Sequence, residues 1–297
     1  MSAGNPEERP REKVADDEPT QVDPAVRAMP VVAFGLVKEF YDEGRGVVRA
    51  VDGVDFDCRK GEIFGLLGAN GAGKTTTLRM LSTVLRPTAG RALVMGHEVT
   101  RDPEAVRRSL GFFSASTALY PRLTARETLE FFARVNRYPK ERVPERVAEL
   151  VDRFGLGDYA DARVDKLSTG MKQKVSIART LAHDPPILIF DEPTVGLDVL
   201  NALELREMIA ELRDEGKTIL FSTHVMSEAE KLCDRIAIIH DGRILACDTL
   251  DGLRAMTGKR YLEDVFVHFV RGQPAPGDGG QDESDGGDGA GQDGGAE

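Results

Sequence analysis

The chain has 297 residues, long enough for one large domain or two small ones, and a formal charge of −11. Residues 1–29 carry four basic and seven acidic groups, and residues 272–297 carry seven acidic and no basic ones, which leaves the middle at −1. That near-neutral middle excludes the basic excess of a nucleic-acid-binding face. The three cysteines, Cys58, Cys233 and Cys247, are far apart and lack metal-ligand spacing, so they read as buried thiols in a reducing compartment. The first 25 residues are charged with no apolar run, so no signal peptide is expected. Runs such as ILIF and IAII are too short to span a bilayer, and membrane action would have to pass through a partner.

In chain order, residues 1–29 (NPEERPREKVADDEPTQVDP) form an expected disordered tail, rich in proline and charge with little to bury. VVAFGLVKEF and VVRAVDGVDFDC read as strands, the second with apolar and polar residues alternating. EIFGLLG is a short apolar strand, followed by a glycine-rich turn and the helix KTTTLRMLSTVL. From about 102 to 166 helical patterns dominate: TARETLEFFARV and PERVAELVDRFGL each keep their apolar residues on one face. Strand and helix alternation then resumes through ILIFDE, LNALELREMIAELRDEG, TILFST, MSEAEKLCD and RIAIIHDG. The expected fold is α/β with a mainly parallel sheet, preceded by antiparallel strands and interrupted by a helical insert, all within 30–271. Residues 272–297, nearly all Gly, Asp and Gln, are expected to form a disordered, solubilising acidic tail.

GANGAGKT, Gly68 to Thr75, fits G-x-x-x-x-G-K-[ST] and lies between a strand and a helix, as a P-loop requires. Its glycines let the backbone N–H groups of Gly68, Ala69, Asn70, Gly71, Ala72 and Gly73 line a concave anion site. The helix start, through Thr76, adds the positive end of a dipole. Lys74 is expected on the β- and γ-phosphates of ATP, and the Thr75 hydroxyl on Mg²⁺. The second half of such a site is ILIFDE: an apolar strand that ends in two carboxylates, where ligands of parallel sheets bind. Asp191 is expected in the Mg²⁺ shell, and Glu192 as the group that orients and deprotonates the attacking water.

LSTGMKQKVSIARTLAHDPPILIFDEPT, Leu167 to Thr194, resembles the signature segment of ABC-type ATPases. That resemblance implies a P-loop NTPase fold with a RecA-like core, an N-terminal antiparallel β-lobe and the inserted helical subdomain of that family. It also implies that Ser168 and Gly170 contact the γ-phosphate held by a second subunit, so the protein would work as a dimer, most simply of identical chains. VGLD resembles the D-loop, with Asp198 at the dimer seam. STHVMSEAEKLCDRIAIIHDG resembles the switch region, which puts His224 on the γ-phosphate. LVKEFYD resembles the aromatic loop that stacks on adenine, through Phe40 or, as the alternate, Tyr41.

LGFFSASTALYPRLT departs from the pattern. Where the family carries a glutamine that touches Mg²⁺, this chain has Ala115, whose methyl group cannot coordinate a cation. Ser114, Ser116 and Thr117 are the nearby hydroxyls able to organise water around the metal. The loss accompanies GFxSxxTxLYxRLTxRE, which resembles the NatA-type, sodium-extruding branch of exporter ATPases. YLEDVFVHF resembles the C-terminal end of ATPases that pair with ABC-2-type permeases. The resemblance therefore implies the ATP-hydrolysing subunit of an exporter, held at the cytoplasmic face of the membrane by a separate permease. Leu119, Tyr120 and the helix after Thr124 are its expected docking surface. Na⁺ and a drug or small hydrophobic molecule are the competing cargoes. A soluble, non-transport ABC ATPase is the alternative; one cassette, no heptad run and a near-neutral middle count against it.

Overall fold

The structure, a computed structural model, describes residues 24–115 and 117–272. Both expected tails lie outside the described residues except Gly272 and residues 24–29, in which Pro24–Arg27 makes a single helical turn, α1. Strands β1 (Val31–Asp42) and β2 (Gly46–Cys58) then form a hairpin. Its turn is set by Asp42, whose Oδ1 accepts from the Gly44 and Arg45 backbone N–H groups. Strand β3 (Ile63–Leu67), wholly buried, leads into helix α2 (Lys74–Leu81). Strands β4 (Ala89–Val94) and β5 (His97–Glu98) return to the hairpin and complete a four-stranded antiparallel sheet in the order β2-β1-β4-β5.

Helix α3 (Pro103–Ser109) precedes strand β6 (Leu110–Ser114). Helices α4 (Ala125–Val135), α5 (Val143–Arg153) and α6 (Thr169–Thr180) follow before strand β7 (Ile187–Asp191). The start of α4 is fixed by a capping box: Thr124 accepts from the Glu127 backbone N–H while the Glu127 carboxylate accepts from that of Thr124. Helix α7 (Val199–Asp214), strand β8 (Thr218–Thr223), helix α8 (Met226–Leu232), strands β9 (Arg235–His240) and β10 (Arg243–Asp248), and helices α9 (Leu250–Thr257) and α10 (Leu262–Arg271) complete the described residues.

The second sheet has six strands in the order β10-β9-β3-β8-β7-β6. Every pair in it is parallel except β9 with β10. Alternate residues of its central strands face opposite layers. Leu188 and Phe190 join the core shared with α4–α6, and Ile187 and Ile189 join the core shared with the antiparallel sheet. A third, smaller core packs α9 and α10 through Leu253, Leu262 and Val265.

The α/β reading, the parallel sheet and the antiparallel lobe ahead of it are as expected. The helical stretch from 102 to 166 needs one correction. LGFFS inside it is the edge strand β6, in register with β7 from Leu110↔Ile187 to Ser114↔Asp191. Five residues are too few for periodicity to tell a buried strand from a buried helical turn, and pairing along the whole of β7 decides it.

Candidate functional site

The site is assembled where the parallel strands end. The register sets Leu67 beside Thr223, Asp191 beside Ser222, and Ser114 beside Asp191, so four strands deliver their C-terminal residues to one crevice. The loop Gly68–Gly73 crosses that edge. Gly73 caps α2 at φ 104°, and a Cβ there would meet the Ala50 carbonyl oxygen at 2.6 Å. Only glycine fits both the backbone conformation and the approach of β2. Gly68 is similarly confined, with the Ile239 carbonyl oxygen 2.4 Å from any Cβ.

Lys74, the first residue of α2, is 4 % exposed and turns back over the loop. Its ammonium donates to the carbonyls of Gly68 at 2.8 Å and Ala69 at 3.0 Å, and pairs with the Glu192 carboxylate at 3.0 Å. The other Glu192 oxygen lies 3.3 Å from His224 Nδ1, just beyond β8. Glu192 itself has φ 47°, an uncommon conformation for a side-chain-bearing residue. Its N–H is held there by the Ser222 carbonyl at 3.2 Å and hydroxyl at 3.1 Å. Strain of this kind persists where surrounding bonds over-determine it.

Asp191, buried at the end of β7, accepts from three hydroxyls. These are Thr75 at 3.0 Å and Ser222 at 2.8 Å on one oxygen, and Ser114 at 3.4 Å on the other. One carboxylate among hydroxyl oxygens is a hard-oxygen environment that suits Mg²⁺, which is bound by few protein groups together with substrate phosphates.

Lys74, Thr75, Asp191, Glu192 and His224 are thus linked in one cluster. Thr76 follows them in the first turn of α2, while Asn70 and Gly71 lie in the exposed part of the loop and Ala72 is buried. The remaining expected residues stand apart. Ser168 caps α6 by accepting from the Met171 N–H at 3.3 Å, and Gly170 has open space around it. Asp198 caps α7, and the Asn201 N–H, ahead of that residue's side-chain amide, holds its carboxyl below the usual range. Among the described residues no hydrogen bond or ion pair joins these three to the Lys74 cluster. Phe40 is 41 % exposed on β1, opposite Val48, with Lys38 Nζ 5.2 Å over its ring; Tyr41 is 79 % exposed.

Sequence reasoning missed Ser222, which bonds both halves of the Asp191–Glu192 pair. It also missed two ties around them. Gln173 of α6 donates to the Pro193 carbonyl at 2.7 Å. The buried Glu228 of α8 accepts from Thr194 at 3.0 Å and Thr223 at 2.8 Å. A serine two residues before His224 at a buried strand end is the one available signal for Ser222.

A P-loop facing an Asp-Glu strand end across a parallel sheet defines a nucleotide-binding ATPase of the P-loop class. Comparison with known proteins narrows this. The family described as ABC transporter matches residues 51–195. The ABC transporter ATP-binding protein NatA of Bacillus subtilis is 42 % identical over 234 residues, covering 78 % of this chain and 95 % of NatA. The daunorubicin/doxorubicin resistance ATP-binding protein DrrA of Streptomyces peucetius is 41 % identical, over 77 % of this chain and 68 % of DrrA. Among solved structures, an ATP-binding subunit of an ABC transporter superposes with a TM-score of 0.73 at 31 % identity, over 81 % of this chain and 99 % of that one. A dimeric ABC cassette in a post-hydrolysis state with ADP and Pi gives 0.67 at 27 % identity, over 74 % and 98 %. The chain belongs to the ABC transporter ATP-binding proteins, and it is the ATP-hydrolysing subunit of an ABC exporter.

Proposed function

We propose that this chain hydrolyses Mg·ATP as one of two cassettes bound to a separate ABC-2-type permease. The observation that carries the reading is the linked pair Lys74–Glu192 and Glu192–His224, beside an Asp191 carboxylate ringed by hydroxyls. A phosphate at the P-loop competes with Glu192 for Lys74, since the ammonium gains more from a multiply charged phosphoryl group than from a single carboxylate. Release from Lys74 frees the Glu192 carboxylate to take a proton from water in line with the γ-phosphorus, with His224 fixing its other oxygen. Thr75 and Asp191 would hold Mg²⁺, which neutralises charge on the β- and γ-phosphate oxygens when bound. Phe40, or Tyr41, would carry the adenine ring. Ser168, Gly170 and Asp198, which no hydrogen bond or ion pair among the described residues joins to Lys74, would contribute to a second chain's nucleotide.

The cassette would occupy 30–271, with its helical subdomain in the 102–166 region outside β6. The tails at 1–29 and 272–297 would lie outside it. With Ala115 in place of the glutamine, Ser114 is the hydroxyl best supported as its substitute: it is buried and 3.4 Å from Asp191. Thr117 is exposed, and Ser116 lies outside the described residues. The chain would sit at the cytoplasmic face of the membrane through its permease; no helix among the described residues is long and apolar enough to cross a membrane. The resemblance of GFxSxxTxLYxRLTxRE to sodium-extruding exporter ATPases supports Na⁺ as cargo, and similarity to DrrA, a daunorubicin/doxorubicin resistance protein, supports a drug or small hydrophobic molecule.

Mg²⁺-dependent ATP hydrolysis by the purified chain beside Glu192→Gln, with mass followed by light scattering, tests this reading. The variant is expected to bind ATP, accumulate as a dimer and lose roughly 10²–10⁴-fold in turnover, the usual range for a general base. Undiminished turnover by Glu192→Gln would remove Glu192 from the role.

A further inference from the structure

Hydrolysis by Glu192 and His224 makes no direct use of Glu228, a buried carboxylate, 5 % exposed, whose hydrogen bonds come from hydroxyls and not from a cation. Helical side chains lean toward the N-terminus of their helix, so Glu228, in the first turn of α8, reaches back over the end of β8. There a single oxygen, Oε2, accepts from two hydroxyls, that of Thr223 at 2.8 Å and that of Thr194 at 3.0 Å.

The two threonines belong to different turns of the site. Thr223 is the last residue of β8 and immediately precedes His224. Its hydroxyl also accepts from the Val225 N–H at 2.9 Å, which closes the turn around His224. Thr194 lies two residues after Glu192, in the turn that leaves β7. That turn is closed by the Val195 N–H donating to the Glu192 carbonyl at 3.3 Å and the Leu197 N–H to the Thr194 carbonyl at 3.1 Å. One carboxylate oxygen therefore ties the turn bearing His224 to the turn bearing Glu192. Between these turns His224 Nδ1 meets the Glu192 carboxylate at 3.3 Å. The P-loop is anchored independently of this tie. Thr223 pairs with Leu67, and its carbonyl accepts from the Gly68 N–H at 3.3 Å, so backbone bonds between β3 and β8 set that edge.

We propose that Glu228 is a positioning residue: through its two threonine bonds it sets the separation of His224 and Glu192. Glu192, once released from Lys74, then keeps one oxygen on His224 and presents the other to water. The inference rests on the reading of Glu192 and His224 given above and deepens it by naming what holds them together. The chemistry required is an acceptor for two hydroxyl protons, not a negative charge. An amide oxygen, with two lone pairs, meets that requirement. An apolar side chain of similar length leaves both hydroxyls without their acceptor and lets the two turns part. A displacement on the order of 1 Å from reacting geometry costs roughly 10²-fold in rate.

The test is steady-state ATP hydrolysis by the full chain with kcat and KM separated, beside NMR of ring-labelled histidine, in which His224→Ala assigns the His224 resonance. Glu228→Met is expected to lose about ten- to a hundredfold in kcat with KM for ATP within about threefold, because the P-loop keeps its own anchors. Its His224 resonance should shift while those of the other histidines hold. Glu228→Gln should return kcat to within about threefold of wild type and restore the resonance. Should Glu228→Met fail to fold, Thr194→Val carries the same test: it removes one of the two bonds, and a smaller kcat loss with the same direction of shift is expected. Undiminished turnover in both Glu192→Gln and His224→Ala overturns the hydrolytic reading and this one together. Impairment of those two beside wild-type kcat in Glu228→Met, or in Thr194→Val, refutes the positioning role and leaves the hydrolytic reading standing. A Glu228→Gln variant as slow as Glu228→Met, or a kcat loss with an unmoved His224 resonance, also refutes it.

Discussion

Ser222→Ala isolates a residue that binds no ligand and yet holds both carboxylates of the site. Ser222 is fully buried, and its hydroxyl donates to Asp191 at 2.8 Å while accepting from the Glu192 N–H at 3.1 Å. Alanine removes a hydrogen bond to a charged group, worth about 1.5–3 kcal/mol, and leaves Asp191 with Thr75 and Ser114. The Glu192 N–H keeps the Ser222 carbonyl at 3.2 Å, so that bond is weakened and not orphaned. A loss of about 2 kcal/mol lowers the melting midpoint by roughly 4–8 °C for a domain of this size. Urea unfolding should show a lower midpoint concentration with an unchanged slope, because the surface exposed on unfolding is the same. Ser109→Ala, whose hydroxyl donates to the Ala105 carbonyl one turn back, should stay within about 0.5 kcal/mol. Turnover should fall further in Ser222→Ala than ATP affinity does, since the φ 47° conformation of Glu192 loses one of its restraints. A stability change below about 0.5 kcal/mol with normal turnover would show that Ser222 does not support the pair.

Two further outcomes follow from the same geometry. Ser114→Ala should weaken Mn²⁺ binding to the ATP-loaded chain, read by electron paramagnetic resonance, while Thr117→Ala leaves it unchanged; equal effects would deny Ser114 a special place. His183, neutral when folded with a pKa of about 4, takes up its proton first in the unfolded chain, whose histidine pKa is about 6.5. Its contribution is therefore intact above pH 6.5 and is lost as pH falls toward 4, by about 2 kcal/mol between pH 7 and pH 5. In His183→Gln the pH 7 to pH 5 decline in urea stability should be smaller by that amount, and an identical slope would refute the assignment.

Much of the site was legible in the sequence because phosphate chemistry is local. A loop that must turn tightly, approach β2 and present N–H groups tolerates only a few residue types at fixed spacing, so Gly73 and Lys74 declare themselves. Asp191 and Glu192 are announced by the apolar run before them. Phe40 was open to confusion with core, and strand position alone did not resolve it.

The sequence by itself determined the α/β order, the P-loop and the Asp-Glu strand end, since each is written in adjacent residues. Tertiary structure alone decided that LGFFS is a strand, because its identity rests on pairing with β7, more than 70 residues away. It alone joined Ser222 and Ser114 to Asp191. Those facts depend on distances between segments remote in the chain, and a hydrogen bond leaves no periodic trace in the residues that form it.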